Sequence, residues 1–417
     1  MPSHPSLILV LNSGSSSLKF AVHETGKRTP LLSGLAERLG SDNATITFRD
    51  AEGKRVHPLD RSDHLASGHA PGHATALAAV LAELSHRGWV DLLTAVGHRV
   101  AHGGERFSAS VLITPSVLDA IEGCIPLAPL HNPAALLGIR AALDRLATIP
   151  HAAVFDTAFH QTMRPEAYHY ALPMDLYRDY RVRRYGFHGT SHRFVARETV
   201  TLLGLQPSDH GLVIAHLGNG ASATAVQDGY SVDTTMGMTP LEGLVMGTRS
   251  GDVDVGAVLH VMREAEMEPD NMDALLNKRS GLLGISELSN DCRELEAAAE
   301  YGHAGARLAL DVFVHRLARH IGGLTTALRR LDAVVFTGGI GENSVRVRAM
   351  TIARLRSLGL HLDPAANACM TGGACGVISA PDATPRAVVV ATNEEWMIAC
   401  DTAELAHQAA DAVASEA

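Results

Sequence analysis

LNSGSSSLKFAV, residues 11–22, is the stretch that decides the fold. The branched apolar run 7–11 stops at Asn12, Ser13 and Gly14, and an extended pattern resumes over 18–23. Two short runs of strand character around a Ser/Gly segment predict a β-hairpin with a polar tip. The second half of the chain repeats the pattern. Setting residues 12–22 against 216–226 pairs Gly14 with Gly218, Ala21 with Ala225 and Val22 with Val226. Each reads as strand, glycine loop, strand.

The rest of the chain extends the repeat. Residues 76–84 read as helix, 95–101 as a strand running into Gly103 and Gly104, and 133–146 as helix. Residues 152–155 are a buried-strand candidate ending on Asp156. The short strands 153–155 and 334–336 take similar places in the two halves, and 307–331 is a long helical stretch in the second. Hairpins with glycine tips plus later strand-loop units predict a duplicated α/β architecture with a nucleotide bound between the halves. The boundary falls near residue 157. The first domain covers 1–157 and is joined by a C-terminal helix 396–417; the second covers 158–395.

A length of 417 residues favours two domains over one core. With 46% hydrophobic and 19% charged residues, the chain is globular in composition. Acidic residues outnumber basic ones 45 to 35, a net charge of −10, so no basic stripe exists to hold nucleic acid. Any anionic ligand would have to be drawn by a few local cations and helix ends. Five cysteines without CxxC spacing argue against a disulfide framework or a thiolate zinc site. The first apolar run is five residues long, too short for a signal peptide or a membrane span. A cytoplasmic protein with no membrane partner is expected.

Residues 12–19 offer glycine for close backbone approach, hydroxyl and amide donors for phosphate oxygens, and Lys19 as a point charge. They do not match the P-loop pattern G-x-x-x-x-G-K-[ST]. His216-Leu217-Gly218-Asn219-Gly220 repeats this chemistry after a strand. A third glycine loop, Gly338-Gly339-Ile340-Gly341-Glu342-Asn343, precedes a helix expected from about Ser344, whose N-terminal amides would face a phosphate. His188 and His192 have the i, i+4 spacing of a metal pair, but no HExxH and no third ligand accompany them.

Nine ordered blocks carry a closer resemblance: LNSGSSSLKF, GHRVAHGGE, PLAPLHNP, FDTAFHQTM, RRYGFHGTSH, HLGNG, TPLEGLVMGTRSGD, FTGGIGENS and TNEE, from residue 11 to 395. Together they resemble the acetate kinase family, within the actin, hexokinase and Hsp70-like superfamily. The resemblance implies duplicated RNase H-like (actin-like ATPase) domains with the active site in the cleft between them. It implies phosphoryl transfer from ATP to acetate, giving ADP and acetyl phosphate, with Mg²⁺ or Mn²⁺ as cofactor, in a homodimer.

It also implies roles residue by residue. Arg99 and Arg249 match two active-site arginines, a residue type that forks onto carboxylates and phosphoryl oxygens better than lysine. Asp156 matches the catalytic aspartate, His188 the group donating to the phosphoryl oxygens, and His131 a further active-site histidine of open role. Asn12 and Glu394 match the metal positions; an amide oxygen and a carboxylate suit Mg²⁺. Lys19 and His216, Leu217, Gly218, Asn219 and Gly220 fall to the phosphates. Asp291, Cys292 and Arg293, with Gly339, Ile340, Gly341, Glu342 and Asn343, fall to the adenosine side. Ala101, Leu130, Phe187 and Pro240 match the acyl pocket.

Four positions depart from the family pattern. Cys292 stands where phenylalanine is usual, Val255 where proline is, and Gly338 where alanine is. Ala101 replaces a usual valine, leaving room for a longer acyl chain, so a propionate or broad short-chain carboxylate kinase is the nearest alternative. An actin- or Hsp70-like conformational ATPase would share the glycine loops but would not need Arg99, His188 and Arg249 around a small acceptor.

Overall fold

The computed structural model describes residues 6–59, 70 and 72–416, which divide into two compact units. One contains the chain up to Ala158 together with Asn393 onward; the other is Phe159–Thr392.

The first unit is built on eight strands: β1 Leu7–Gly14, β2 Ser17–Glu24, β3 Leu32–Glu37, β4 Thr45–Asp50, β5 Gly53–Pro58, β6 Leu93–Val100, β7 Val111–Leu112 and β8 His151–Phe155. Their order is β5-β4-β3-β2-β1-β6-β8-β7. β1, β6 and β8 run parallel, and β2 and β3 add antiparallel on the other side of β1. β1 is buried on both faces, as its unbroken apolar run requires. Leu7, Leu9 and Leu11 join a core with Leu77, Val80 and Leu84 of the helix His73–His86, whereas Ile8 and Val10 pack with Ile398 and Ala399 of the helix Glu394–Glu416. Close seating of that last helix needs a glycine beneath it. A Cβ on Gly97 would come within 2.3 Å of Thr402 Oγ1 and 2.7 Å of Ile398 Cγ2.

The second unit has six strands: β9 Gly211–Leu217, β10 Ala221–Gln227, β11 Tyr230–Thr234, β12 Ala333–Thr337, β13 Gly376–Val377 and β14 Arg386–Val389, ordered β11-β10-β9-β12-β14-β13. β9, β12 and β14 are parallel, with β10 and β11 antiparallel beside β9. Strand for strand, β9-β10-β11-β12-β14 repeats β1-β2-β3-β6-β8, so the duplication read from the sequence is real. The helix Ala304–Leu324 covers Val213, Ala215 and Leu217 of β9 through Phe313, Leu317 and Ile321.

Four details differ from the sequence reading. The first hairpin turns over two residues between the paired Gly14 and Ser17, the second over three between the paired Leu217 and Ala221. An ungapped match therefore slips by one residue along β10. With Asn12 set against His216, the true cross-strand partners are Lys19 and Ser222, and the matched alanines Ala21 and Ala225 face opposite sides. Residues 153–155 lie in β8 and correspond to β14; the counterpart of β12 is β6. The helical stretch 307–331 is the helix Ala304–Leu324 followed by a 3₁₀ turn, Thr325–Ala327. Gly338–Asn343 is a short helix rather than a loop.

All five cysteines are free thiols. Among the described residues no helix is long and apolar enough to cross a membrane.

Candidate active site

In the first unit the candidate residues collect at the carboxyl ends of three neighbouring parallel strands, the usual ligand side of an α/β sheet. Asn12 lies near the end of β1, Arg99 is the penultimate residue of β6, and Asp156 follows β8. Arg99 is forked onto Asp156, Nε to Oδ1 at 3.0 Å and Nη2 to Oδ2 at 2.6 Å, and its Nη1 reaches Asn12 Oδ1 at 3.4 Å. The nearby Asp156 raises the affinity of the Arg99 guanidinium for its proton. Glu394 and Glu395 open the last helix beside this pair. Burial pushes the Glu394 carboxyl up to about 7; Arg99 opposes the shift, and the like charges of Asp156 and Glu395 reinforce it. Glu395, the last residue of the TNEE block, is also penalised by burial. Its ion pair with Lys19 more than compensates and holds its carboxyl below the usual range.

The loop after β6 is pinned by residues the sequence did not single out. Asn132 is fully buried; its Nδ2 donates to the His102 and Ile121 carbonyls at 3.0 and 3.2 Å, and its Oδ1 accepts the His102 amide at 3.2 Å. The Gly103 amide donates to Thr157 Oγ1 at 3.0 Å. These bonds fix the segment that carries Ala101, which lies one residue beyond β6, so strand alternation from Arg99 does not set its direction. Leu130 is 61% exposed, and His131, just before the helix Asn132–Arg145, is exposed as well.

In the second unit His188 and Arg249 approach a common point. A Cβ on Gly220 would lie 3.1 Å from Arg249 Nη2 and 3.6 Å from His188 Nε2, so only glycine leaves that space open. Arg249 Nη1 donates to the Pro240 carbonyl at 2.7 Å. No carboxylate pairs with this guanidinium among the described residues, and burial alone lowers its hold on the proton. A partly desolvated cation without a counter-ion is suited to an anionic ligand. His188 adopts a left-handed backbone (φ 57°) just before the helix Gly189–Leu203. Its ring stacks on His216 with centroids 4.4 Å apart, and His216 Nδ1 bonds Ser191 Oγ at 2.8 Å. Phe187 is buried, and its carbonyl accepts His160 Nε2–H at 2.9 Å.

The loops stitch together around Asn219. Its carbonyl accepts the Gly247 amide at 2.9 Å, and its Oδ1 accepts Asn290 Nδ2 at 2.9 Å. Asp291 caps the helix Cys292–Glu300 and binds the Arg293 amide at 2.8 Å and its guanidinium at 2.6 Å. Cys292 has its side chain in the apolar core, where burial pushes the thiol up to about 12. Leu217 is likewise fully buried, and Ile340 packs against the same core. In the short helix, Glu342 Oε1 accepts the Gly338 and Thr392 amides at 2.9 and 3.0 Å, while Asn343 Nδ2 donates to the Gly339 carbonyl at 2.9 Å. Arg348, fully buried, holds this turn by donating to the carbonyls of Gly341 and Glu342 at 2.9 and 2.8 Å. Within a helix reading VRVRAM it looks like a surface arginine, and no signal in the sequence marks it.

No group of three or more His, Cys, Asp or Glu among the described residues is arranged to enclose a metal. The i, i+4 pair His188 and His192 meets at one Ser222 hydroxyl instead.

A family model described as the acetokinase family matches residues 7–400. The chain is 54% identical over 402 residues to an acetate kinase of Chromobacterium violaceum, covering 96% of this chain and 98% of that one. It is 49% identical over 410 residues to a propionate kinase of Yersinia enterocolitica, covering 98% of each. The crystal structure of Porphyromonas gingivalis acetate kinase is similar with a TM-score of 0.90 at 42% identity, covering 96% of this chain and 99% of that one.

Proposed function

The chain belongs to the acetokinase family, and on that premise we propose that it is a phosphotransferase with a carboxyl acceptor, converting ATP and acetate reversibly to ADP and acetyl phosphate. The observation that carries this reading is Arg249, a partly buried guanidinium without a carboxylate partner among the described residues, beside His188 at the open face of Gly220.

Acetate arrives ionised, so no base is needed to activate it; charge neutralisation and alignment are the protein's work. In this reading Arg249 and the His188 Nε2 side hydrogen-bond the oxygens of the transferring phosphoryl group. Arg99, oriented by Asp156, offsets acceptor charge. Residues 216–220 with Lys19 serve the phosphates, and residues 291–293 and 339–343 serve the adenosine; the core position of the Cys292 side chain leaves its backbone to face the nucleotide. Phe187, Pro240, Leu130 and Ala101 supply the acyl wall, and His131 a further polar contact.

Asn12 and Glu394 would hold Mg²⁺, or Mn²⁺, through an amide and a carboxylate oxygen. Burial, reinforced by the like charges of Asp156 and Glu395, disfavours the ionised Glu394 carboxyl, and a cation held beside it would relieve that cost. Two protein ligands suit an ion that takes its other oxygens from water and phosphates. When bound, the ion would neutralise β- and γ-phosphate oxygens. A cytoplasmic homodimer is part of the same reading.

Ala101 and the propionate kinase relative favour a second reading, in which propionate is also accepted. A hydroxamate assay for acyl phosphate over a panel of short carboxylates, with ATP and Mg²⁺, tests both. Absence of hydroxamate from acetate and propionate would overturn the proposal.

A further inference from the structure

We propose that Ser222 and His192 are positioning residues that fix the tautomer and orientation of His188, so that its Nε2 carries the hydrogen and presents it beside Arg249. The Ser222 hydroxyl lies 3.0 Å from His188 Nδ1 and 2.8 Å from His192 Nε2, and bonds no third group among the described residues. Ser222 and His192 are both fully buried, so water does not satisfy either.

One hydroxyl proton must serve two rings. If it went to His192 Nε2, the neutral His192 ring would carry its own hydrogen on Nδ1, which has no partner among the described residues. A buried N–H without an acceptor is the costliest arrangement available. If His192 Nε2–H instead donates to Ser222 Oγ, the hydroxyl donates to His188 Nδ1 and every donor is satisfied. Only a lone pair on His192 Nδ1 is left over. His188 then has its hydrogen on Nε2, the atom that faces the point shared with Arg249 Nη2 at Gly220.

This arrangement of hydrogens requires a neutral His192. Burial holds this ring well below its ordinary pKa, and His160 and His216, the titratable groups facing it, lower it further. His160 has a fixed tautomer of its own: Nε2–H donates to the Phe187 carbonyl, so Nδ1 accepts the Ser231 hydroxyl at 2.8 Å. His216 stacks on the His188 ring and keeps its plane in place. The left-handed backbone at His188 sets the direction of the side chain, and Ser222 sets which edge points out.

The kinetic consequence rests on the proposed phosphoryl transfer; the tautomer does not. The full chain labelled with ¹⁵N-histidine, without substrate, is examined by long-range ¹H–¹⁵N correlation, and His188 is assigned by its loss in His188→Gln. We expect the Nε2–H tautomer in the wild type and a mixture in Ser222→Ala. In the same variant kcat should fall ~10- to 100-fold with the KM for ATP and acetate nearly unchanged, and Ser222→Thr, which keeps the hydroxyl, should recover much of it. A wild-type spectrum with the hydrogen on Nδ1 overturns the proposal, whether or not the variants fold. So does a folded Ser222→Ala with wild-type tautomer and kcat. Lack of activity on acetate alongside the Nε2–H tautomer would instead fault the assigned reaction.

Discussion

Arg99 clasps Asp156 through both carboxylate oxygens, at 3.0 and 2.6 Å, whereas among the described residues the Arg249 guanidinium bonds only the Pro240 carbonyl. The two arginines that the sequence puts forward together thus sit in opposite electrostatic circumstances. Asp156 is nearly inaccessible and lies near Glu394, so Arg99 is its compensation.

Arg99→Ala is therefore expected to lose both turnover and stability. Removing one partner of a buried pair costs on the order of 3 kcal/mol, less where water reaches the guanidinium. Turnover should drop at least ~100-fold, as for loss of a charge-stabilising group. Adding Asp156→Asn to that variant should restore much of the lost melting temperature without restoring turnover. Thermal melts by circular dichroism with the hydroxamate assay decide it: a double variant no more stable than Arg99→Ala would show that the pair does not carry the stability.

Arg249→Ala should behave differently. A cation kept from water without a counter-ion contributes little to folding, and its removal frees one carbonyl from a hydrogen bond. The melting temperature should stay within a few degrees of wild type while kcat falls at least ~100-fold. Near-normal kcat in the folded variant would contradict a role for Arg249 at the transferring group.

Glu394→Gln should raise the Mg²⁺ concentration needed for half-maximal activity, because an amide oxygen is a weaker ligand for a hard cation than a carboxylate. Asn12→Ala should do the same to a smaller degree. Identical metal titrations for wild type and Glu394→Gln would remove the carboxylate from the metal site.

The hairpins were legible because a run of branched residues broken by Ser and Gly has few other solutions. The register of the second was not, because two- and three-residue turns differ in backbone geometry rather than in residue type, and one residue changes every face. Glycines at 338, 339 and 341 argue against helix on propensity. Arg348 overrides them by binding the carbonyls of Gly341 and Glu342 from inside the fold, a long-range contact that no local pattern encodes. The charged half of the candidate site was readable only through the family resemblance, since an Asp at a strand end is as often a turn residue and an isolated Arg more often a surface charge. Ser222 was not, since a serine between two alanines in a strand looks like packing.

The proposed acyl pocket offers a graded test. Ala101 sits in a segment held by Asn132 and Thr157, so a larger side chain there has little freedom to move aside. One buried methylene is worth roughly 0.8 kcal/mol, and pockets separate single methylenes by about 1–3 kcal/mol. Propionate is expected to be used with kcat/KM within about tenfold of acetate, and Ala101→Val to penalise propionate selectively. An unchanged acetate-to-propionate ratio in the variant would show that another residue limits the pocket.

Acid should weaken the fold through a buried histidine pair. His98 and His151 are buried and stacked, with His151 Nε2–H donating to the Leu146 carbonyl and His98 Nε2–H donating to His151 Nδ1 at 3.0 Å. Burial lowers both pKa values from the ordinary 6.5, that of His98 furthest, since His151 adds to the effect. Below pH 6.5 the unfolded chain takes up protons at these sites that the folded state refuses. More protons bound in the unfolded state means that stability rises with pH and is lost as pH falls from about 6.5 toward the folded-state values. Each ring contributes up to about 1.4 kcal/mol per pH unit over that window. Glu394 acts in the opposite sense: its raised pKa gives stability that is present at low pH and lost as pH rises from about 4.5 through 7. The wild-type curve alone therefore mixes the two. The informative quantity is the difference in slope between wild type and His98→Gln, taken from urea midpoints between pH 5 and 8. The variant is expected to be less stable at pH 8 and to lose less stability between pH 6.5 and 5.5; parallel curves would show that the buried pair is not what makes the fold sensitive to acid.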